Sequence, residues 1–256
     1  MSTRLVPANY QAPAGAFTDR VCLVTGAGAG IGQAVAVGLA EAGAQVILLD
    51  KNVPAMEQTY DSIEARAPGR AAIYPLDLLG ATPPDYHKLA ETIEKEYTGL
   101  HGLVHCATFL GTRSPMAQFD PELWMKVMQV NLNGPFMLTQ AVLGLLRAVE
   151  PASVVFSTAA PGRRGTAYWG AYGVSNAALE NLMQILADEL ESNTGIRVNS
   201  LDPGAVRTAL RLRTFPGEDA NQLPKPKDVV PAYLYLLGPD SAEFTGEQFE
   251  IKSSGE

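Results

Sequence analysis

Short apolar, β-branched runs alternate with longer stretches of helical periodicity through most of the chain. Val21-Cys-Leu-Val-Thr25 and Gln45-Val-Ile-Leu-Leu-Asp50 read as buried strands, and residues 71–76, 102–107, 153–157 and 197–201 as further strands. Residues 248–251 read as a last short strand. Helical patterns fill residues 33–42, 54–65, 86–97, 122–149, 177–190 and 229–237. This alternation predicts an α/β fold: one parallel, doubly wound sheet with right-handed crossovers and helices on both faces. The pattern starts near Asp19, so residues 1–18 are expected to form an N-terminal arm and 19–256 one domain. The Pro-rich segment 215–227 reads as a surface loop over a cleft.

Composition narrows the class. At 256 residues, 46% apolar and 18% charged, the chain can bury one large core. Its net charge of −8 argues against nucleic acid or an anionic membrane as the main partner. Arg163-Arg164 and the arginines of 207–213 are short clusters, read first as solvated surface and second as a phosphate contact. Residues 1–16 lack the apolar core of a signal peptide, and no run is long enough to span a bilayer. Two isolated cysteines, Cys22 and Cys106, suit a reduced, cytoplasmic protein better than a disulfide framework. His87, His101 and His105 show no metal-ligand spacing, so no metal is expected.

Candidate chemistry begins after the first strand. Gly26-Ala-Gly28-Ala-Gly30-Ile31-Gly32 joins that strand to a helix, an order that lets backbone approach a pyrophosphate at the helix N-terminus. Asp50 ends the next strand, where a carboxylate hydrogen-bonds an adenosine ribose and repels a 2′-phosphate. It favours NAD(H) over NADP(H); Lys51 weakens that preference. Helix capping before Pro54 is the other reading of Asp50. Asp77-Leu78 closes the third strand within reach of an adenine. Pro135 denies an N–H to the carbonyl of Asn131 and kinks a helix there, either structurally or to hold a water. Tyr172 and Asn176 are four residues apart and share a helix face.

Thr25 to Gly32, Asp77, Asn131, Tyr172, Pro203-Gly204 and Thr208 together resemble the short-chain dehydrogenase/reductase family, over nearly the whole chain from Asp19. The segment from Met125 through Arg211, and residues 214–219, resemble the YciK-like oxidoreductases within it. The resemblance implies a Rossmann-type sheet of about seven strands, a nicotinamide cofactor, a small carbonyl or alcohol substrate, and a homodimer or homotetramer built on the two long helices. It implies that Gly26, Gly30, Ile31 and Gly32 line the pyrophosphate, with Asp50 at the ribose and Asp77 and Leu78 at the adenine. Ala107 is then expected beside the cofactor backbone, with Pro203, Gly204, Val206 and Thr208 holding the nicotinamide.

The family's catalytic set is Ser, Tyr and Lys, with an Asn completing a proton relay. Tyr172 and Asn131 match it, but the serine position is Ala159 and the lysine position is Asn176. The family's Asn-Ala-Gly reads Cys106-Ala107-Thr108. A lysine ammonium about 4–5 Å from a phenol, at an effective dielectric near 20, favours phenolate by roughly 3–4 kcal/mol. That brings a tyrosine from about 10 toward neutrality. Asn176 can hydrogen-bond a nicotinamide ribose but supplies no charge, so Tyr172 is expected to stay a neutral phenol, able to donate a proton and poor at accepting one. Ser157, Thr158, Ser175, Arg163 and Arg164 are the nearest substitutes, each more simply read as a turn or strand-end residue. Two classes remain. One is an oxidoreductase with impaired or altered chemistry; the other is a non-catalytic dinucleotide-binding or assembly protein.

Overall fold

The computed structural model describes residues 3–7 and 9–251. Its strands are β1 (Arg4–Leu5), β2 (Val21–Thr25), β3 (Gln45–Asp50), β4 (Ala71–Pro75), β5 (Gly102–His105), β6 (Ala152–Ser157), β7 (Ile196–Asp202) and β8 (Gln248–Glu250). They form one parallel sheet in the order β1-β8-β7-β6-β5-β2-β3-β4. The chain winds outward from β2 to β4, then returns to β5 on the other side of β2 and winds out to β8. That reversal, between β2 and β5, opens a crevice at the carboxyl ends of the strands. Eight strands form where about seven were expected, because the N-terminal arm adds one. Arg4 and Leu5 pair with Phe249 and Glu250, and Val6 and Phe17 of the arm are buried.

Alternate residues of each strand feed opposite layers. Cys22 and Val24 join the core under α1 (Gly30–Glu41), α2 (Val53–Glu64) and α9 (Val230–Leu237). Val21 and Leu23 join the core under α3 (Pro83–Glu96), α5 (Gly134–Arg147) and α7 (Gly170–Glu191). Double-sided cover explains why β2, β5 and β7 are buried end to end.

The stretch expected as one kinked helix is three elements. α4 (Pro121–Met128) runs into a π-helical turn, Gln129–Asn133, and then into α5. Pro135 cannot donate to the Asn131 carbonyl, and the helix answers by widening rather than by bending alone. The Thr139 hydroxyl donates to the Pro135 carbonyl at 2.8 Å. Its one proton thus used, Thr139 accepts from His105 Nε2 at 2.9 Å. The imidazole stacks on Phe156 with ring centroids 4.7 Å apart. His105 Nδ1 is buried without a partner. Burial pushes this histidine down to about 3.

A histidine with a depressed native value costs stability once the unfolded chain begins to take up protons and the native one does not. Stability from urea unfolding should therefore fall between the ordinary histidine value of 6.5 and about 3. In His105→Leu that fall should be smaller, whatever the offset at neutral pH. An equal fall would contradict the assignment.

Candidate active site

The glycine turn between β2 and α1 is packed too closely for any side chain at two positions. Gly26 has φ +69°, and a Cβ there would lie 2.9 Å from Ala107 Cα; at Gly32 it would lie 2.3 Å from the Gly26 carbonyl. Backbone therefore meets backbone, and the α1 N-terminus opens onto a cavity of about 390 Å³. Gly26, Gly30, Ile31, Gly32, Asp50, Asp77, Leu78, Ala107 and Thr208 all line it. Asp50 is not the helix cap; Asn52 caps α2 by accepting from Ala55 N at 3.2 Å. The Asp50 carboxylate instead accepts from Gly28 N at 3.1 Å and Asn52 N at 3.0 Å. Lys51, exposed, lines the same cavity.

A second cavity of about 530 Å³ is lined by Tyr172, Ala159, Pro203, Gly204, Val206 and Thr208 among others. The two share Ile31, Cys106, Thr108, Thr208 and Leu210 along their common wall. Tyr172 faces this junction from α7, and burial raises its phenol above the ordinary value. Hydrogen bonds from the side chains of Thr108 and Asn176 pull the other way without offsetting burial. The Asn176 amide also donates to the Tyr172 carbonyl at 2.8 Å, turned back on its own helix, and lines neither cavity. Asn131 lines neither as well. Its side chain accepts from Phe109 N at 2.7 Å and donates to Phe109 O at 3.0 Å and Ser175 Oγ at 3.1 Å. It thereby ties the loop after β5 to α7.

These features match a known pattern. The family model for short chain dehydrogenases matches residues 20–219. The chain belongs to the short-chain dehydrogenase family. It is 43% identical to the uncharacterized oxidoreductase YciK of Escherichia coli K12, over 95% of this chain and 96% of that protein. A short chain dehydrogenase of Shigella flexneri 2a complexed with NADP is 42% identical, with a TM-score of 0.90, over 93% of this chain and 99% of that one. One from Escherichia coli CFT073 complexed with NADPH is 43% identical, with a TM-score of 0.91, over 94% of this chain and 100% of that one. These complexes overturn the preference for NAD(H) drawn from Asp50. The physical reason lies in its surroundings: two backbone N–H groups already take up the Asp50 carboxylate, and Lys51 stands in the same cavity.

Beside the family's missing serine and lysine, most expected substitutes are engaged elsewhere. Ser157 Oγ lies 2.9 Å from Tyr233 OH and 3.2 Å from Cys106 Sγ. Ser175 Oγ donates to the Tyr172 carbonyl at 3.0 Å. Thr158 Oγ1 donates to Glu180 at 2.7 Å, and Arg163 Nε pairs with the same carboxylate at 3.0 Å. Ser200 Oγ completes the set on Glu180. Two residues with roles here were not singled out as functional in the sequence. Thr108, marked only as a lost glycine, lines the wall shared by both cavities, and its hydroxyl donates to Asn131 Oδ1 at 3.5 Å. Glu180 stands four residues after Asn176, and that repeat of the Tyr172–Asn176 spacing was the signal for its shared face.

Side chains of Arg163 and Glu180 are 14% and 5% exposed, so removing one strands the other charge. Glu180→Ala should cost on the order of 3–5 kcal/mol in urea unfolding. A cost below about 1 kcal/mol, the range of a surface pair, would show that the network carries no weight.

Proposed function

We propose that this chain is an NADP(H)-dependent oxidoreductase that reduces a small carbonyl compound, with Tyr172 donating the proton as a neutral phenol. The observation that carries this reading is the shared wall: the cavity behind the glycine turn meets the cavity of Tyr172 at Thr108. The residues present fit a dinucleotide, because Gly26 and Gly32 leave room only for backbone beside the α1 N-terminus. Gly26, Gly30, Ile31 and Gly32 would hold the pyrophosphate, Asp77 and Leu78 the adenine, and Pro203, Gly204, Val206 and Thr208 the nicotinamide. Lys51 would meet the 2′-phosphate. When bound, the nicotinamide supplies or accepts hydride.

The rest of the chemistry falls to the chain. Tyr172 holds its proton at neutral pH because burial raises it and no lysine stands at position 176. Thr108 Oγ1, at the junction, takes the orienting role that a serine would have at position 159. Such a site favours reduction over oxidation, since a neutral phenol gives a proton more readily than it takes one. Alongside it stands a second reading, a dinucleotide-binding protein without turnover. What favours it is the Arg163–Glu180 pair, which commits the Arg163 guanidinium to a carboxylate and leaves no lysine or free arginine at position 176 to activate the phenol.

Exposed Met125 on α4, Phe136 on α5, and Val174 and Ile185 on α7 support a homodimer or homotetramer through these helices. Unpaired Cys22 and Cys106 suit a cytoplasmic setting. Among the described residues no helix is long and apolar enough to cross a membrane.

The test is a titration with NADPH and NADH, then turnover on a panel of aldehydes and ketones. NADPH should bind more tightly than NADH, and Lys51→Glu should weaken NADPH by about 3–10-fold while leaving NADH nearly unchanged. Slow, Tyr172-dependent reduction supports the enzyme; tight binding without turnover, even in Ala159→Ser with Asn176→Lys, supports the binding protein. Failure of both nucleotides to bind would end both readings.

A further inference from the structure

We infer that the second cavity takes an aromatic carbonyl compound bearing a carboxylate, its ring against Trp169 and Phe215 and its carboxylate at Arg164. The inference rests on the oxidoreductase reading and names the substrate class of that same site.

The ring position follows from the cavity wall. Trp169 and Phe215, from two different loops, both line it, with centroids 6.0 Å apart. Trp169 also lies 5.6 Å from the Tyr172 ring. Rings on loops collapse together unless held, and here guanidinium groups hold them. Arg113 Cζ sits 5.0 Å from the Trp169 centroid and 5.1 Å from that of Phe215. Arg211 Cζ lies 3.9 Å over Phe215, and its fork is fixed by Glu218 at 2.6 and 2.7 Å. The aromatic wall is thus set before any ligand arrives, which lowers the ordering cost of binding. A volume of about 530 Å³ suits a compound of one or two rings.

The anionic end follows from charge bookkeeping around the cavity. Arg164 lines it, and among the described residues its side chain makes no hydrogen bond or ion pair. Its neighbour Arg163 is committed to Glu180, and Arg211 to Glu218. The one carboxylate in the lining, Asp202, is buried at the end of β7 and accepts from Gly204 N at 2.8 Å. Arg164 is exposed, so its guanidinium on this wall is open to an anionic ligand. A guanidinium fork matches a carboxylate with two parallel hydrogen bonds. With the ring against Trp169 and Phe215, the carbonyl is left to face Tyr172 and Thr108 at the junction.

The experiment uses Trp169 as its reporter. The chain has two tryptophans, so Trp124→Phe leaves Trp169 as the sole one. In that background, with NADP⁺ bound, 4-acetylbenzoate and acetophenone are titrated against tryptophan fluorescence. The carboxylate should bind at least about tenfold more tightly. Arg164→Gln should erase that advantage and leave both acetophenone and NADP⁺ binding unchanged. Equal affinity for the two probes, an advantage that survives Arg164→Gln, or no quenching by either probe with NADP⁺ bound would overturn the inference. Loss of NADP⁺ binding in the parent protein would instead overturn the cofactor reading.

Discussion

The buried carboxylate of Glu180 gathers the walls of the site into one piece. It accepts from Thr158 at the end of β6, from Arg163 on the short helix α6 (Ala160–Arg163), and from Ser200 on β7. Arg163 in turn donates to the Phe249 carbonyl of β8 at 2.8 Å. Such a charge is tolerable in a core only with its acceptor capacity filled, and here it is filled from three elements. Two turns earlier on the same helix stands Tyr172. The network that braces the helix carrying the tyrosine also commits the Arg163 guanidinium to Glu180.

Two electrostatic effects therefore act on the phenol in the same direction. Burial disfavours phenolate, and the position from which a lysine would favour it by roughly 3–4 kcal/mol holds an amide. Hydrogen bonds from Thr108 and Asn176 recover part of this, but burial remains the larger effect. On the proposed reading the phenol is a proton donor rather than a base. On the same reading, the hydroxyl lost at position 159 has its counterpart at Thr108, which lines the wall shared by both cavities.

Much of this was legible in the chain. Strand periodicity placed every central strand, because residues buried on both faces leave a continuous apolar run. The glycine turn announced its cavity, since Gly26 and Gly32 sit where no Cβ fits. What escaped was set by tertiary context. The arm's Arg4 and Leu5 form a strand only because β8 offers an edge. The π turn at 129–133 needed the packing of α5 to show that Pro135 widens the helix. Asp50 pointed to NAD(H) because a carboxylate repels phosphate; its capture by Gly28 and Asn52 N–H groups was invisible in one dimension. Ser157, Thr158 and Arg163, the nearest substitutes along the chain, are engaged in space by partners that sequence spacing does not reveal.

The ionisation of Tyr172 tests this account most directly, because it needs no knowledge of the substrate. Tyrosinate absorbance, titrated in the wild-type protein and in Tyr172→Phe, isolates one phenol by difference. The account predicts no difference signal below the ordinary tyrosine range of about 10. A step of one tyrosine between about pH 6 and 8, absent from Tyr172→Phe, would mean that an activating charge reaches the phenol after all.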